Sequence, residues 1–333
     1  MGISVVTVAY GAGPSLGRLL DSLAGEADEV LVVDNGEGGD EIAEAAARYG
    51  VRLVSPGENL GFAAGSNLGA REAGGDMLVF LNPDTVVAPG ALDSLRRTLE
   101  DRSIGIAMAR LLLLARPELL NSRGTEVHIS GIGWAAGYGE PADSVREPLE
   151  IAAPSGAAMA IRAETFRALG GFAEELFMYL EDVELGWRAH LAGLRVVVDP
   201  EADVYHEYDF ARNPRKNYFI ERNRLVFLLT AFSPRLLALL APVLVPAELG
   251  MATIALKEGW FKDKAAGWAW CIRHARVVAH RRRATQRLRK VRDRDLAGLL
   301  TPVFDPGMLP VPRVLRAANP VVARYWRLVR RAL

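Results

Sequence analysis

Residues 77–85 read MLVFLNPDT, from Met77 to Thr85, and the reading of this stretch decides the fold. Five apolar residues run without alternation and stop at Asn82-Pro83-Asp84. An apolar run of that length, bounded by turn residues, predicts a strand buried on both faces. Such strands belong to parallel sheets covered by helices. Asn-Pro-Asp taken alone has two readings. It is an ordinary turn, or the end of a buried strand that presents one carboxylate to a metal ion.

The same pattern recurs along the chain. Ile3 to Ala9 and Glu29 to Val33 are short, β-branched and end in loops at Gly11 and at Asp34-Asn35-Gly36. Val51 to Val54 gives a third strand. Helices are predicted between them: one opened by Pro14-Ser15, one from Asp40 to Tyr49, one over 63–73 and one over 91–100. Further strands are expected at 104–109, 157–161, 195–198 and 202–206, with helices at 163–169 and 180–191. Strand and helix alternating with short connections predict an α/β fold, a mostly parallel sheet with helices on both faces. Ligands bind such sheets outside the carboxyl ends of the strands. Thr7 to Tyr10, Asp34-Asn35 and Asn82 to Asp84 all fall there.

Charge is zero overall but unevenly placed. Residues 1–256 carry 21 Lys and Arg against 35 Asp and Glu, residues 257–294 carry 13 against 3, and residues 295–333 carry 6 against 2. An acidic front followed by a basic tail suits a charged surface as partner. Nucleic acid is disfavoured, because the acidic part would be repelled. Cys271 is alone, so no disulfide is expected. The first strand begins at Ile3, so no signal peptide is expected and a cytoplasmic location follows. Leu16 stands where a dinucleotide fingerprint needs its third glycine, and no phosphate-binding Gly-x-x-x-x-Gly-Lys-Ser/Thr run occurs.

Two regions depart from the alternating pattern. Residues 121–150 are Gly-rich, carry Trp134 and Tyr138, and are expected to form an irregular lid. Residues 225–256 are very apolar but contain Pro234, Pro242 and Pro246. The unbroken apolar run 236–247 falls short of the roughly 20 residues of a spanning helix. Interfacial helices beside the basic run 273–294, on an anionic membrane surface, or an oligomer-forming hairpin, are expected over 225–294.

Single candidates remain ambiguous. Asp34 is a base or ribose acceptor, or a turn residue. Glu181-Asp182, after the apolar 176–180, is a helix cap or a general base with its pKa raised by that setting. His206 is a structural histidine or a ligand.

Their order carries more information. Asp34, then Asn59-Leu60-Gly61-Phe62-Ala63-Ala64-Gly65-Ser66-Asn67, then Asn82-Pro83-Asp84, Ser155 to Met159, Glu181 to Leu185 and His206 follow one another along the chain. This series resembles a family 2 glycosyltransferase of the GT-A fold, in its rhamnosyltransferase-like branch, over about residues 1–230. The resemblance implies a nucleotide-sugar half near 1–110, an acceptor half near 111–220, and a helical region from 221 to 333 that associates with membrane or oligomerises.

The resemblance also implies roles. Thr7, Ala9, Tyr10 and Asp34 match positions that hold the nucleotide. Asn59, Gly61 and Asn67 match the donor-site segment. Asn82-Pro83-Asp84 stands where the family has Asp-x-Asp, which leaves Asp84 as the main ligand of Mg²⁺ or Mn²⁺, with His206 completing the site. Gly156 and Ala157 match the loop beneath the donor sugar. Asp182 matches the catalytic base, with Glu181 beside it. Trp134 and Tyr138 are the candidate acceptor lid. The implied reaction is inverting transfer from a nucleotide-diphosphate sugar, dTDP-rhamnose by branch, to a lipid-linked or cell-envelope glycan on the inner face of the cell membrane. A galactofuranosyl, glucosyl or mannosyl donor is the nearest alternative. More distant ones are a sugar nucleotidyltransferase, against which 11–17 lack a lysine, and a non-catalytic membrane scaffold.

Overall fold

A computed structural model describes residues 1–11, 13–36, 39–207, 213–307 and 313–333. Strands β1 (Ile3–Ala9), β2 (Glu29–Asp34), β3 (Arg52–Val54) and β4 (Met77–Leu81) alternate with helices α1 (Gly13–Ser22), α2 (Gly39–Tyr49) and α3 (Gly61–Glu72). Then come β5 (Thr85–Val87), α4 (Ala91–Thr98), β6 (Ile104–Leu113), β7 (Arg116–Ser122), β8 (Thr125–His128), β9 (Gly133–Ala135) and β10 (Leu149–Glu150). β11 (Ala158–Arg162), α5 (Ala163–Leu169), α6 (Glu181–Leu191) and β12 (Arg195–His206) complete the α/β part. The remainder is helical: α7 (Lys216–Ala231), α8 (Pro234–Glu258), α9 (Phe261–Arg273), α10 (Ala275–Arg287), α11 (Asp293–Leu296) and α12 (Arg313–Ala332), with one short strand, β13 (Leu300–Thr301).

The main sheet runs β10-β12-β6-β11-β4-β1-β2-β3. β3, β2, β1 and β4 are mutually parallel, as are β6 and β12, and β11 lies antiparallel between β4 and β6. Every residue of β1 and β4 is buried, which is why neither strand alternates. α3 lies close against β1. A Cβ on Gly69 would stand 2.4 Å from Val6 Cγ1, and one on Gly65 would stand 3.0 Å from Val8 Cγ1. Phe80, on β4, packs edge-on against Phe172 and beside Phe166. Truncating it to alanine removes a fully buried ring, a change that typically costs about 3–5 kcal/mol.

Three expectations are corrected. Residues 195–206 form one strand, not two. Pro200 interrupts the ladder, and the register against β6 shifts between Asp199 and Asp203 while the strand continues. Residues 121–150 are not irregular. β8 pairs with β9 on one side and with β13 on the other in a separate small sheet, and Val127 of β8 and Ile129 just after it are fully buried. The third correction concerns α8, which runs unbroken through Pro242 and Pro246. Pro234 lies in its first turn, where no N–H is missed, after Ser233, whose side chain accepts from Leu236 N–H at 3.0 Å.

α8 is therefore long and apolar enough to cross a membrane, by length and composition. Val245, Leu249 and Leu256 are exposed on it. α7 behaves differently. Phe227 on α7, with Phe232 just after it, packs against Trp187 of α6, which joins α7 to the α/β body. The basic run is also partly consumed. Arg282 donates to Phe232 O at 3.0 Å, Gln286 to Thr230 O at 2.8 Å and Arg289 to Ala231 O at 3.3 Å, satisfying the last carbonyls of α7. Arg273, Arg276, Arg283 and Arg287 remain exposed.

Candidate active site

Residues 82–85 form a turn that carries two site candidates, Asn82 and Asp84. Thr85 N–H donates to Asn82 O at 3.2 Å, with Pro83 and Asp84 at the two central positions. Thr85 Oγ1 donates to the same carbonyl at 2.7 Å. β5 then pairs with the end of β12, Thr85 opposite His206, and Glu207 N–H donates to Asp84 O at 2.9 Å. This register brings His206 Nε2 to 3.3 Å from Asp84 Oδ1. Nδ1 of the same ring lies 3.0 Å from Asn121 Oδ1. The imidazole is therefore bracketed by Asn121 on one nitrogen and Asp84 on the other.

Asp84 and His206 therefore form a pair of oxygen and imidazole donors on adjacent chain segments. That set fits a divalent cation that keeps waters and substrate phosphates for the rest of its shell. No group of three or more His, Cys, Asp or Glu placed to hold a metal occurs among the described residues.

Asn82, Gly156, Ala157, Glu181, Asp182, Trp134 and His206 line one cleft of about 310 Å³. Asp182 Oδ2 accepts from Gly156 N–H at 2.8 Å and Oδ1 from Val183 N–H at 2.7 Å. A Cβ on Gly156 would stand 3.6 Å from Asp182 Cβ and 3.2 Å from the Phe62 ring. Burial raises the Asp182 pKa, and the two N–H bonds oppose that rise. Glu181 is buried and its Oε2 makes no hydrogen bond among the described residues. Burial, then the neighbouring Asp182 charge, raises its pKa well above the usual range. Both carboxyls are thus pushed toward the neutral form by burial, and only Asp182 has two N–H donors that favour its charge.

The backbone ahead of this pair is strained. Phe177, Tyr179 and Leu180 have φ of 64°, 68° and 65°, and none is glycine. Left-handed residues of this kind cost of order 1–3 kcal/mol each and persist where the surroundings impose them. Gly61 makes room for this turn, since a Cβ there would stand 2.6 Å from Phe177 O.

The nucleotide candidates lie at neighbouring strand ends. Ala9 pairs with Asp34 across β1 and β2, and Thr7 lies between Val32 and Leu81. The Thr7 hydroxyl is buried and makes no hydrogen bond among the described residues; Tyr10 is exposed. Asp34 Oδ1 accepts from Gly36 N–H at 3.2 Å. Asn59 Oδ1 accepts from Asn35 Nδ2 at 3.0 Å and Gly61 N–H at 2.9 Å, tying the end of β2 to the start of α3.

Thr7, Ala9, Tyr10, Asp34, Asn59, Gly61, Asn67, Asp84 and Tyr138 do not line this cleft. The Asn67 amide is engaged by Phe172 N–H, Phe172 O and Glu174, at 2.8, 3.0 and 2.9 Å. Glu184, four residues before Arg188, is not a cleft residue either. It pairs with Arg188 at 2.7 Å and Arg281 at 3.3 Å. Sequence reading placed Asn35 at the ligand-binding edge without a role of its own and missed Asn121 and Asn223. Asn35 sits beside a marked candidate, Asn121 lay in a stretch read as irregular, and Asn223 lay in the region set apart from catalysis.

A mostly parallel sheet with helices on both faces, and a cleft at its carboxyl edge holding a carboxylate pair, define a GT-A glycosyltransferase. The model of the family described as Glycosyl transferase family 2 matches residues 4–170, and the chain belongs to that family. It is 33% identical over 233 residues to the N-acetylglucosaminyl-diphospho-decaprenol L-rhamnosyltransferase of Mycobacterium tuberculosis, covering 61% of this chain and 75% of that one. Its fold is similar to that of GalNAc-T7, solved with UDP, GalNAc and Mn²⁺, at 18% identity and a TM-score of 0.59, over 69% of this chain and 48% of that one. S. aureus TarS 1–349 is similar at 16% identity and a TM-score of 0.52, over 100% of this chain and 91% of that one.

Proposed function

We propose that the chain transfers a sugar from a nucleoside-diphosphate donor, dTDP-rhamnose, to a hydroxyl of a lipid-linked or cell-envelope glycan, with inversion. The carrying observation is one cleft lined by Asp182, Asn82 and His206, with Asp84 against His206. The name of the mycobacterial relative supports both the rhamnosyl donor and an N-acetylglucosaminyl-diphospho-polyprenol acceptor.

In this reading Asp182 takes the proton from the acceptor hydroxyl, whose oxygen attacks the anomeric carbon from the face opposite the diphosphate. Gly156 and Val183 N–H groups aim the Asp182 carboxylate and favour its ionised form against the effect of burial. Asp84 and His206 hold a divalent metal, Mg²⁺ or Mn²⁺, which when bound neutralises charge on the departing diphosphate. Thr7, Ala9, Tyr10 and Asp34 receive the nucleotide, and Asn59, Gly61 and Asn67 shape the donor segment. Gly156 and Ala157 lie under the sugar, and Trp134 belongs to the wall that keeps water out. Residues 1–110 form the donor half and 111–220 the acceptor half. The region 221–333 docks the enzyme peripherally on the anionic inner face of the cell membrane, or joins it to a second copy, through the exposed face of α8.

A panel of nucleotide-sugars tested for thermal stabilisation with Mg²⁺ or Mn²⁺ checks this. A ligand at a hundredfold excess over its Kd stabilises by about 2.7 kcal/mol. dTDP-rhamnose with metal is expected to raise Tm most. A UDP- or GDP-sugar doing so instead overturns the donor; no nucleotide-sugar doing so overturns the reading.

A further inference from the structure

The turn ahead of Glu181 is held by a residue outside the cleft. Phe177, with φ 64° and ψ −64°, centres a γ-turn in which Met178 N–H donates to Leu176 O at 2.7 Å. This hand of γ-turn is rare and strained. Asn223 of α7 is fully buried behind it. Its Nδ2 donates to the carbonyl oxygens of Leu176, Met178 and Tyr179, at 2.9, 2.8 and 2.7 Å. Its Oδ1 accepts from Arg222 Nε at 2.8 Å, and Arg222 Nη2 donates to Leu176 O at 2.7 Å.

The arginine donor fixes which end of the amide is oxygen, so the NH₂ group has to face the carbonyls. Phe177 O is taken from the other side, by Ala63 N–H at 3.0 Å. Arg222 is itself held over the Trp270 and Phe219 rings, at 5.0 and 5.1 Å, and Phe219 stacks on Phe177 at 5.2 Å.

The position of α7 is fixed in turn by buried charges. Glu221 pairs with Lys264 of α9 at 2.5 Å and with Arg224 at 3.1 Å, and Lys264 pairs with Glu248 of α8 at 2.8 Å. The carbonyls of 178 and 179 therefore answer to the C-terminal helices through Asn223, and that of 176 through Asn223 and Arg222.

We propose that Asn223, oriented by Arg222, is a positioning residue for the reaction: it holds the left-handed turn 177–180 and so sets where Asp182 stands in the cleft. This rests on the reading of Asp182 as the base. No other side chain does the same work at this site. Alanine has no donor, aspartate turns an oxygen onto three carbonyls, and glutamine is one carbon too long for the packed space.

The test is a double-mutant cycle of Asn223→Ala with Leu180→Gly, since glycine adopts φ near 65° without a steric penalty. Asn223→Ala is expected to lower kcat for dTDP-rhamnose transfer at least tenfold. Affinity for dTDP with Mn²⁺, read by calorimetry, stays within twofold. In the Leu180→Gly background the same substitution should cost at least threefold less in kcat, and its loss of Tm should shrink as well. Strictly additive effects overturn the proposal, as does an equal loss of binding and turnover. If Asn223→Ala does not fold, Asn223→Ser, which keeps one donor, is read the same way. Failure of both to fold makes Asn223 a core residue only and overturns the proposal. Wild-type protein with no dTDP-rhamnose turnover refutes the donor and not the clamp. The Tm cycle then decides, coupled for the clamp and additive against it.

Discussion

His206 Nε2 stands 3.3 Å from Asp84 Oδ1, and the opposite nitrogen of the same ring is fixed at 3.0 Å from Asn121 Oδ1. The two residues are 122 positions apart in sequence. The antiparallel pairing of Thr85 with His206 joins them, and the turn started by Asn82-Pro83 lifts Asp84 to meet the ring. In the proposed metal site, Asn82 in place of the first Asp of an Asp-x-Asp motif leaves one carboxylate, Asp84, and His206 stands beside it. In that site the imidazole would be tuned by whatever holds its far nitrogen, and Asn121 stands at that nitrogen.

Asp84→Ala is expected to abolish Mn²⁺ binding in a calorimetric titration, and with it metal-dependent binding of dTDP. Asn121→Leu leaves both ligands in place but frees the ring, and is expected to weaken Mn²⁺ about 10–100-fold, as loss of an outer-shell partner does elsewhere. Mn²⁺ binding unchanged in Asp84→Ala would remove the metal from this cleft.

The two acidic residues at the start of α6 should respond differently. Asp182→Asn is expected to lower transfer by about 10²–10⁴-fold, the usual contribution of general base catalysis, with dTDP binding near normal. Burial and the Asp182 charge raise the Glu181 pKa, which favours its neutral form. Glu181→Gln mimics that neutral form and is expected to stay within about tenfold of wild type, a change of no more than about 1.4 kcal/mol. If initial rates show the reverse order, the base is Glu181.

Most of the sheet was legible because its strands are buried on both faces. Runs such as Ile3 to Ala9 and Met77 to Leu81 carry no competing signal. Pairings decided by tertiary contact were not legible. β8 and β9 are short, and their third strand, β13, comes from some 170 residues later, so only the fold supplies their partner. Pro200, Pro242 and Pro246 were read as breaks, yet a bulge carries β12 past the first and α8 continues through the others. Candidate site residues at strand ends could be found from sequence because strand ends are recognisable. Asn121 and Asn223 act by holding another residue's ring or backbone, and no spacing rule marks a residue for that.

Buried histidines give the fold a dependence on pH. Burial brings the His128 pKa down to about 4, only weakly opposed by a bond with the Pro302 backbone. The unfolded chain takes up that proton near 6.5. Between these values the unfolded state binds more protons, so stability falls as pH drops from 6.5 toward 4, by up to about 1.4 kcal/mol per pH unit. His190 shifts in the same direction, again through burial. His128 contacts Trp134 and Phe304, so the wall of the cleft is where this is felt. The urea midpoint is expected to fall between pH 7 and pH 5, and to fall less in His128→Asn. Equal slopes in both proteins would mean that His128 titrates normally.

The membrane reading needs substitutions rather than truncation. Deleting residues 231–333 would take away Leu236, Leu240 and Trp326, which are buried, and Lys264, the ion partner of Glu221. A protein lost from membranes that way could simply be unfolded. Leu249 and Val245 on α8 are 66% and 59% exposed, and Leu328 on α12 is 55% exposed. Charge at these positions disturbs little of the core, and exposed substitutions usually change stability by no more than about 0.5 kcal/mol. Val245→Glu with Leu249→Glu is expected to reduce sedimentation with vesicles containing phosphatidylglycerol at least tenfold, with Tm almost unchanged. Arg276→Glu with Arg283→Glu is expected to weaken binding to those vesicles in low salt and to matter less as salt rises, because surface charge is screened within about 8–10 Å. If the wild-type chain binds the vesicles and the α8 substitutions leave that binding untouched while breaking a dimer in solution, the apolar face of α8 belongs to a second copy of the chain.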